Sequence, residues 1–306
     1  MLLVTGGAGF IGSKLAEHFI NNGEDVVVLD NLSTGYLSNI PKGAIFVQGD
    51  VFDPNVYQQI EQWSFDGIFH IAGQASGEVS FENPTYDLKT NTLSTLLLLE
   101  FAKKKGVKKF IFTSSMSVYG DSDAAVIESS TTNPKSFYAV GKLASEQYLK
   151  IFTQFGIFAT VLRLFNVYGP GQNMENLKQG MVSIFLAQAL ENRKIVVKGS
   201  GERFRDFIFI DDVIESLILA YHHTQKPFSI YNICTGKKNT INSLLEVIKN
   251  ELPFPVEIAF SGNTLGDQFG LFGNNDLAKL ELKFSPKTPL EQGIKQTVET
   301  LLSSLK

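Results

Sequence analysis

Tyr138 and Lys142 stand four residues apart in the run Tyr-Ala-Val-Gly-Lys, downstream of a serine pair at 114 and 115. On a helix that spacing sends both side chains from one face and brings an ammonium close to a phenol. An unperturbed tyrosine titrates near ~10, and an adjacent cation favours the phenolate, which makes Tyr138 a usable base. A hydroxyl from Ser115 is suited to share a reacting substrate oxygen and hold it within proton-transfer reach of the phenol. By itself the Tyr/Lys spacing also describes many ordinary helices, in which a core-facing ring sits beside a solvated charge. What precedes it in the chain decides between these readings.

Met1 to Val4 is a short apolar strand candidate, followed by TGGAGFIG and a helical pattern through Ile11, Leu15, Phe19 and Ile20. Gly6, Gly9 and Gly12 fall three apart, the spacing of a tight turn that lets backbone approach a pyrophosphate and packs helix closely on strand. Unpaired N–H groups at the start of that helix, with Phe10 and Ile11 in its first turn, favour an anion there. A second strand, Asp25 to Leu29, ends in Asp30, where a ribose-binding acid belongs. Asp30 repels a 2′-phosphate, and Asn31 to Gly35 offer no Arg or Lys to receive one, so NAD is favoured over NADP. An oxidised nicotinamide ring adds a second positive charge beside the phenol. Two further strands, Ala44 to Gln48 and Gly67 to Ile71, end in Gly49-Asp50-Val51 and in Ala72-Gly73, where small residues admit a cofactor.

Those elements begin an alternation of strand and helix patterns that continues through Lys108 to Ser114, a helix around Tyr138 to Phe152, and Ala159 to Phe165. The fold class expected is α/β, a Rossmann-type doubly wound parallel sheet, because strands covered on both faces read as nearly continuous apolar runs such as FIFTSS and TVLRLF. After Gly169-Pro170-Gly171 the texture changes to a polar loop, a helix from Met181 to Leu190, short strands at Ile195 to Val197 and Asp206 to Ile210, and a helix from Asp212. A strand at Ile230 to Ile233, a helix after an Asn239/Thr240 cap and a strand at Val256 to Phe260 follow. The expected division is residues 1–168 as the NAD-binding Rossmann domain, completed by part of 211–235, and 169–306 mainly as a smaller C-terminal α/β substrate-binding domain.

With 306 residues, 43% hydrophobic and 19% charged, the composition is that of ordinary globular protein. The net charge of −4 is mixed along the chain, and its densest basic run, Lys103 to Lys105 with Lys108 and Lys109, suits a solvated helix end rather than a nucleic-acid surface. The single cysteine, Cys234, lies in the apolar run SIYNICTG and reads as a buried thiol. Four histidines show no ligand spacing, so no metal is expected. A strand at the first residues leaves no room for a signal peptide, and no apolar run approaches the ~18 residues of a spanning helix, so the expectation is a cytoplasmic protein without a membrane partner.

TGGAGFIG, Asp30, Gly49-Asp50-Val51, HIAGQ, Asn91, TSSMSVYG, YAVGK, RLFNVYGPGQ and RFRDFIFIDDV occur in the order seen in extended short-chain dehydrogenases. The chain resembles the nucleotide-sugar epimerase/dehydratase family over nearly its whole length, and within it the UDP-glucose 4-epimerase-like members. That resemblance implies Ser115, Tyr138 and Lys142 as the catalytic set. It places Gly6, Gly9, Phe10, Ile11, Gly12, Asp30, Asn31, Asp50, Val51, Ala72, Gln74, Asn91 and Ser114, with Tyr138 and Lys142, around NAD; Asp50 and Val51 flank the adenine. Asn166 resembles the residue that holds a substrate diphosphate, and Arg205 the arginine that meets the same phosphates, a role suited to a permanent charge with two parallel donors. Arg203 competes with it on charge, and a salt bridge of Arg205 to Asp206 or Asp211 is the bland reading. One departure is that relatives often carry a second arginine near the C-terminus, where Thr264 precedes Leu265-Gly266-Asp267 here.

Dehydratase relatives have acids beside the catalytic Ser/Thr, whereas this chain has Met116, whose thioether cannot transfer a proton. The reaction expected is therefore C4 epimerisation of a nucleotide-sugar through a transient 4-keto intermediate, with UDP-, CDP- or GDP-sugars open as substrates. A net 4-dehydrogenase or keto-sugar reductase is the alternative, ahead of a 4,6-dehydratase or a non-catalytic NAD sensor. Family members commonly dimerise through two helices per subunit, here the candidates at Asn91 to Lys103 and Tyr138 to Phe152, so a homodimer is expected.

Overall fold

The computed structural model describes residues 1–304 apart from 224, 264, 265 and 267, so Thr264, which stands where relatives often carry a second arginine, lies with Leu265 and Asp267 outside the described residues. In chain order the strands are β1 (Leu2–Thr5), β2 (Val26–Asp30), β3 (Ile45–Gln48), β4 (Gly67–His70), β5 (Lys109–Ser115), β6 (Phe158–Leu164), β7 (Asn166–Tyr168), β8 (Lys194–Val197), β9 (Phe204–Arg205), β10 (Phe207–Phe209), β11 (Phe228–Ile233), β12 (Asn239–Thr240) and β13 (Glu257–Phe260). Seven form one sheet in the order β11-β6-β5-β4-β1-β2-β3, and every pairing is parallel.

The sheet is covered on both faces, and the strands alternate between two cores as a pleat requires. Leu2, Val4, Val26, Val28 and Phe69 pack beneath the helices Phe10–Asn21 and Ile210–His223 through Leu15, Phe19, Val213 and Leu217. Leu3, Val27, Leu29, Ile68 and Phe110 face the other way, against Leu98, Leu99 and Ala102 of Ser94–Lys105 and Leu149 and Phe152 of Phe137–Phe152. The chain leaves β1 toward β2 and β3, then returns to lay β4 on the other side of β1. That reversal opens a crevice beyond the carboxyl ends of the strands, the usual place for a ligand in such sheets.

The remaining strands make three small pairs, β7 with β10, β8 with β13 and β9 with β12. The first core runs on into them through Val182, Phe185, Ile195, Ile208 and Leu244, so the two parts share apolar packing. One expected element differs. The strand anticipated over Asp206 to Ile210 is shorter, β10 at Phe207–Phe209: Asp206 is the break between β9, which pairs antiparallel with β12, and β10, which pairs parallel with β7, and the next helix already starts at Ile210. Asp206 is fully buried and accepts hydrogen bonds from Thr235 N (2.9 Å), Thr235 Oγ1 (2.6 Å), Gly236 N (2.8 Å) and Gly273 N (3.3 Å). These satisfy the carboxylate at the point where the chain changes partners. Among the described residues no helix is long and apolar enough to cross a membrane.

Candidate active site

A cleft of about 690 Å³ lies over the carboxyl ends of β1, β2, β4, β5 and β6. Its floor is the glycine turn. Gly6 has φ +71°, and a Cβ there would sit 2.7 Å from Ala72 N; a Cβ on Gly12 would meet Gly6 O at 2.2 Å. Gly9 caps the helix Phe10–Asn21, which has no side-chain cap and no acidic residue in its first turn, so its free N–H groups remain available to an anion. Asp30 is anchored at the end of β2, one oxygen accepting from Ala8 N (3.0 Å) and the other from Leu32 N (2.7 Å). Asn31 Nδ2 donates to Asp50 Oδ1 at the adjoining strand end. A glycine cradle that side chains would fill, an uncapped helix start and a fixed carboxylate suit the pyrophosphate and ribose of a dinucleotide.

Phe10, Ile11, Asn31, Asp50, Val51, Ala72, Gln74, Ser114, Ser115, Tyr138, Lys142, Asn166 and Arg205 line the same cleft with Gly6, Gly9, Gly12 and Asp30. Asn91 does not; it is buried behind the wall, with its Oδ1 2.6 Å from where a Gly73 Cβ would lie.

Ser136 starts the catalytic helix by accepting from Ala139 N (3.2 Å), which sets Tyr138 in the first turn and Lys142 one turn on. Lys142 is 4% exposed and donates to Thr113 O at 3.0 Å, with Nζ 5.9 Å from the centre of the Tyr138 ring. Burial lowers the ammonium to about 8, while Asp87 and Glu146 pull it back up. Burial pushes Tyr138 up to about 12; a hydrogen bond with Ser115 works downward and the charge of Asp87 upward. Within the protein alone the lysine does not offset burial of the phenol: the ammonium is committed to the Thr113 carbonyl, and desolvation outweighs it, so the downward shift expected of Lys142 together with an oxidised nicotinamide ring depends on the ring. Ser115 Oγ donates to Ser117 Oγ (3.1 Å) and accepts from Ser117 N (3.2 Å), which fixes it at the end of β5.

Three supporting features carried little sequence signal. Glu146, one turn past Lys142 and fully buried, accepts from Ser114 Oγ (2.6 Å) and from Arg163 Nε (3.0 Å) and Nη2 (2.6 Å). The i+4 offset from Lys142 could have flagged it. Asp87 accepts from Gln74 Nε2 (2.8 Å) and Asn91 Nδ2 (3.0 Å), tying together two residues expected near the cofactor. His70, fully buried at the end of β4, bonds through its two nitrogens to Thr5 Oγ1 (2.8 Å) and Thr95 Oγ1 (3.0 Å), and burial pushes it down to about 3. It is a neutral core group.

On the opposite wall, Asn166 Nδ2 donates to Asp206 O (3.1 Å). Arg205 Nη1 donates to the carbonyls of Phe204 (2.8 Å) and Phe269 (3.1 Å), and Nη2 to that of Gln268 (2.6 Å). Arg203 Nε donates to Ser200 O (3.0 Å) and its Nη2 to Lys198 O, bonds that staple the turn ahead of β9. Met116 lines the cleft beside Ser115. Cys234 is buried, and burial raises its thiol. Among the described residues no cluster of His, Cys, Asp or Glu is arranged to hold a metal.

A putative UDP-glucose 4-epimerase of Methanocaldococcus jannaschii is 36% identical over 97% of both chains. The UDP-glucose 4-epimerase of Thermotoga maritima, solved with UDP-glucose, superposes with a TM-score of 0.96 at 36% identity, covering 100% of this chain and 99% of that one. UDP-glucuronic acid decarboxylase 1 of Xenopus tropicalis is 31% identical over 97% of this chain and 71% of its own length. The model of the NAD dependent epimerase/dehydratase family matches residues 2–234, from the glycine turn through both halves of the cleft. Sequence, fold and cleft agree, and the chain belongs to the NAD-dependent epimerase/dehydratase family.

Proposed function

We propose that the protein interconverts nucleoside-diphosphate sugars that differ in configuration at C4, with NAD as resident cofactor and Tyr138 as the base. The observation that carries this reading is the meeting of Ser115, Tyr138 and Lys142 in one cleft with the glycine turn and Asp30. When bound, NAD supplies a reversible hydride acceptor and a cationic ring. Tyr138 Oη takes the proton from the C4 hydroxyl and later returns it. Ser115 Oγ holds that oxygen, and the Lys142 ammonium adds positive charge beneath the phenol. Burial holds the phenol up at about 12 in the protein alone, and further positive charge arriving in the cleft favours the base. Asn166 and Arg205 hold the diphosphate, so the substrate is gripped by its nucleotide while the sugar turns to offer its other face.

UDP-sugars are the first substrates to test, since relatives named for UDP-glucose are alike over nearly the full chain. Met116 beside Ser115 argues against dehydration, and the cleft carboxylate Glu78 is paired with Lys198 at 3.2 Å. In the assay, purified protein is incubated with UDP-, GDP-, CDP- and dTDP-sugars while reduced nicotinamide absorbance and product stereochemistry are followed. Inverted sugar without net NADH is the expected result; stoichiometric NADH without inversion assigns a dehydrogenase instead.

The same reading divides the chain into a dinucleotide part, residues 1–168 with the strand Phe228–Ile233, and a substrate part made of most of the remainder. It also includes a homodimer in the cytoplasm. Leu88, Leu93, Val140 and Ile151 are exposed along the paired helices Ser94–Lys105 and Phe137–Phe152 and the turn that leads into them, an apolar face a second copy would cover. A monomer by light scattering at working concentration would remove the dimer.

A further inference from the structure

Asp87 is 1% exposed and has no part in the chemistry above, yet it lies against the catalytic helix. It precedes a π-helical turn, Leu88–Leu93, a wide geometry frequently found at functional sites. Its Oδ1 receives the side-chain amides of Gln74 and Asn91, and Asn91 Nδ2 also reaches Gln74 O (2.9 Å), so one carboxylate oxygen holds both. Its Oδ2 is buried without a hydrogen-bond partner among the described residues, as is Asn91 Oδ1. Oδ2 is 3.6 Å from where a Cβ on Gly141 would stand, next to Lys142 and three residues past Tyr138. A glycine at 141 is what lets the π-helical turn lie this close, and Thr92 Oγ1 donates to Gly141 O (3.3 Å) across the contact.

A bare carboxylate oxygen in a protein interior is costly unless a nearby charge compensates it. The ionisable groups around this contact are Tyr138, Lys142 and Glu146 from the catalytic helix, His70 from β4, and Arg163, which pairs with Glu146 at 2.6 Å. Burial raises the Asp87 acid, whereas the two amides and Lys142 favour its ionised form. Arg163 balances Glu146, which leaves Lys142 and Asp87 to balance each other, with Tyr138 a neutral phenol and His70 a neutral imidazole. Without the Asp87 charge the site carries one uncompensated positive charge.

We propose that Asp87 is a positioning residue of the hydride-transfer site, clamping Gln74 and Asn91 with one carboxylate oxygen and fixing through the other the charge that Tyr138 and Lys142 experience. Its catalytic consequence rests on the reading of Tyr138 as the base. Asp87 keeps the phenol protonated in the resting site and so reserves the phenolate for the moment when a cationic ring is beside it.

The test is a pH titration of NAD-saturated protein in the tyrosinate absorption band, for the parent and for Asp87→Asn, each referenced to the same protein carrying Tyr138→Phe so that Tyr138 alone is read. The midpoint in D87N should fall by about one pH unit, the scale on which a neighbouring like charge acts, and D87E should return toward the parent. The acid limb of kcat/KM should move down with it. Equal midpoints in parent and D87N overturn the proposal. Should D87N fail to fold, Asp87→Ser is the second neutral variant, judged by the same criterion. A shifted midpoint in a protein that turns over no nucleotide-sugar defeats the functional reading and leaves this inference standing.

Discussion

Replacing Lys142 by methionine should separate what the lysine does for chemistry from what it costs the fold. The residue is 4% exposed and burial lowers its ammonium from 10.5 to about 8. In the unfolded chain the lysine keeps its proton up to its ordinary value, so between pH 8 and 10.5 the unfolded state binds one proton more than the native state. Stability then rises with pH across that window, and the penalty is complete below pH 8 and absent above 10.5. At 1.36 kcal/mol per pH unit, the full span is worth about 3 kcal/mol. Lys142→Met has no such group. Its stability relative to the parent should therefore decline by about 2–3 kcal/mol between roughly pH 7 and 10.

The slope is the quantity to measure, because the absolute difference at pH 7 mixes opposing effects. Methionine removes a desolvated charge, but it also leaves the Thr113 carbonyl without its 3.0 Å donor and deprives Asp87 and Glu146 of a neighbouring cation. Urea unfolding of both proteins at stepped pH gives the slope directly. Turnover should fall by about 10²–10⁴, the usual weight of a group that supports proton transfer. Parallel stability profiles for parent and variant would refute the placement of a desolvated ammonium beneath Tyr138, whatever the kinetics showed.

His70 should dominate acid sensitivity in the same manner: the unfolded imidazole protonates near 6.5 and the native one only near 3, so stability drops as pH falls through that interval. The loss approaches about 4–5 kcal/mol, and His70→Gln should flatten the curve when unfolding is followed at stepped acid pH. Arg163→Met leaves Glu146 buried without the partner 2.6 Å away, and denaturant unfolding should register a loss of about 3–5 kcal/mol; Glu146→Leu added to it should recover much of that, and no recovery would count against a charge origin. Gly12→Ala drives a methyl to 2.2 Å from Gly6 O. The strain of about 1–3 kcal/mol should appear as NAD affinity weakened roughly 10- to 100-fold in calorimetry, with UDP binding little changed.

What the sequence disclosed and what it hid divide along the length scale of the interactions. The glycine turn, its helix and Asp30 depend on contacts within about one β-α-β unit, and their spacing expresses the geometry. The parallel sheet was legible for a similar reason, since strands such as Val26–Asp30 are buried at every position and leave no polar alternation to suggest an exposed face. The break at Asp206 was not, because it is made by Thr235, Gly236 and Gly273, distant in sequence and unremarkable as residue types. The site shows the same division at atomic scale. A four-residue offset indicates that Tyr138 and Lys142 share a helix face, but their protonation is a sum over burial and over charges arriving from elsewhere in the fold. Asp87 enters that sum from another helix and Thr113 from a strand end, neither marked by any spacing relative to residue 138. Sequence thus identifies the groups able to perform proton transfer more readily than it identifies the groups that decide when transfer occurs. In this protein Asp87 belongs to that second set and is buried outside the cleft lining, with an oxygen that has no hydrogen-bond partner among the described residues and that folding alone gives no reason to leave so.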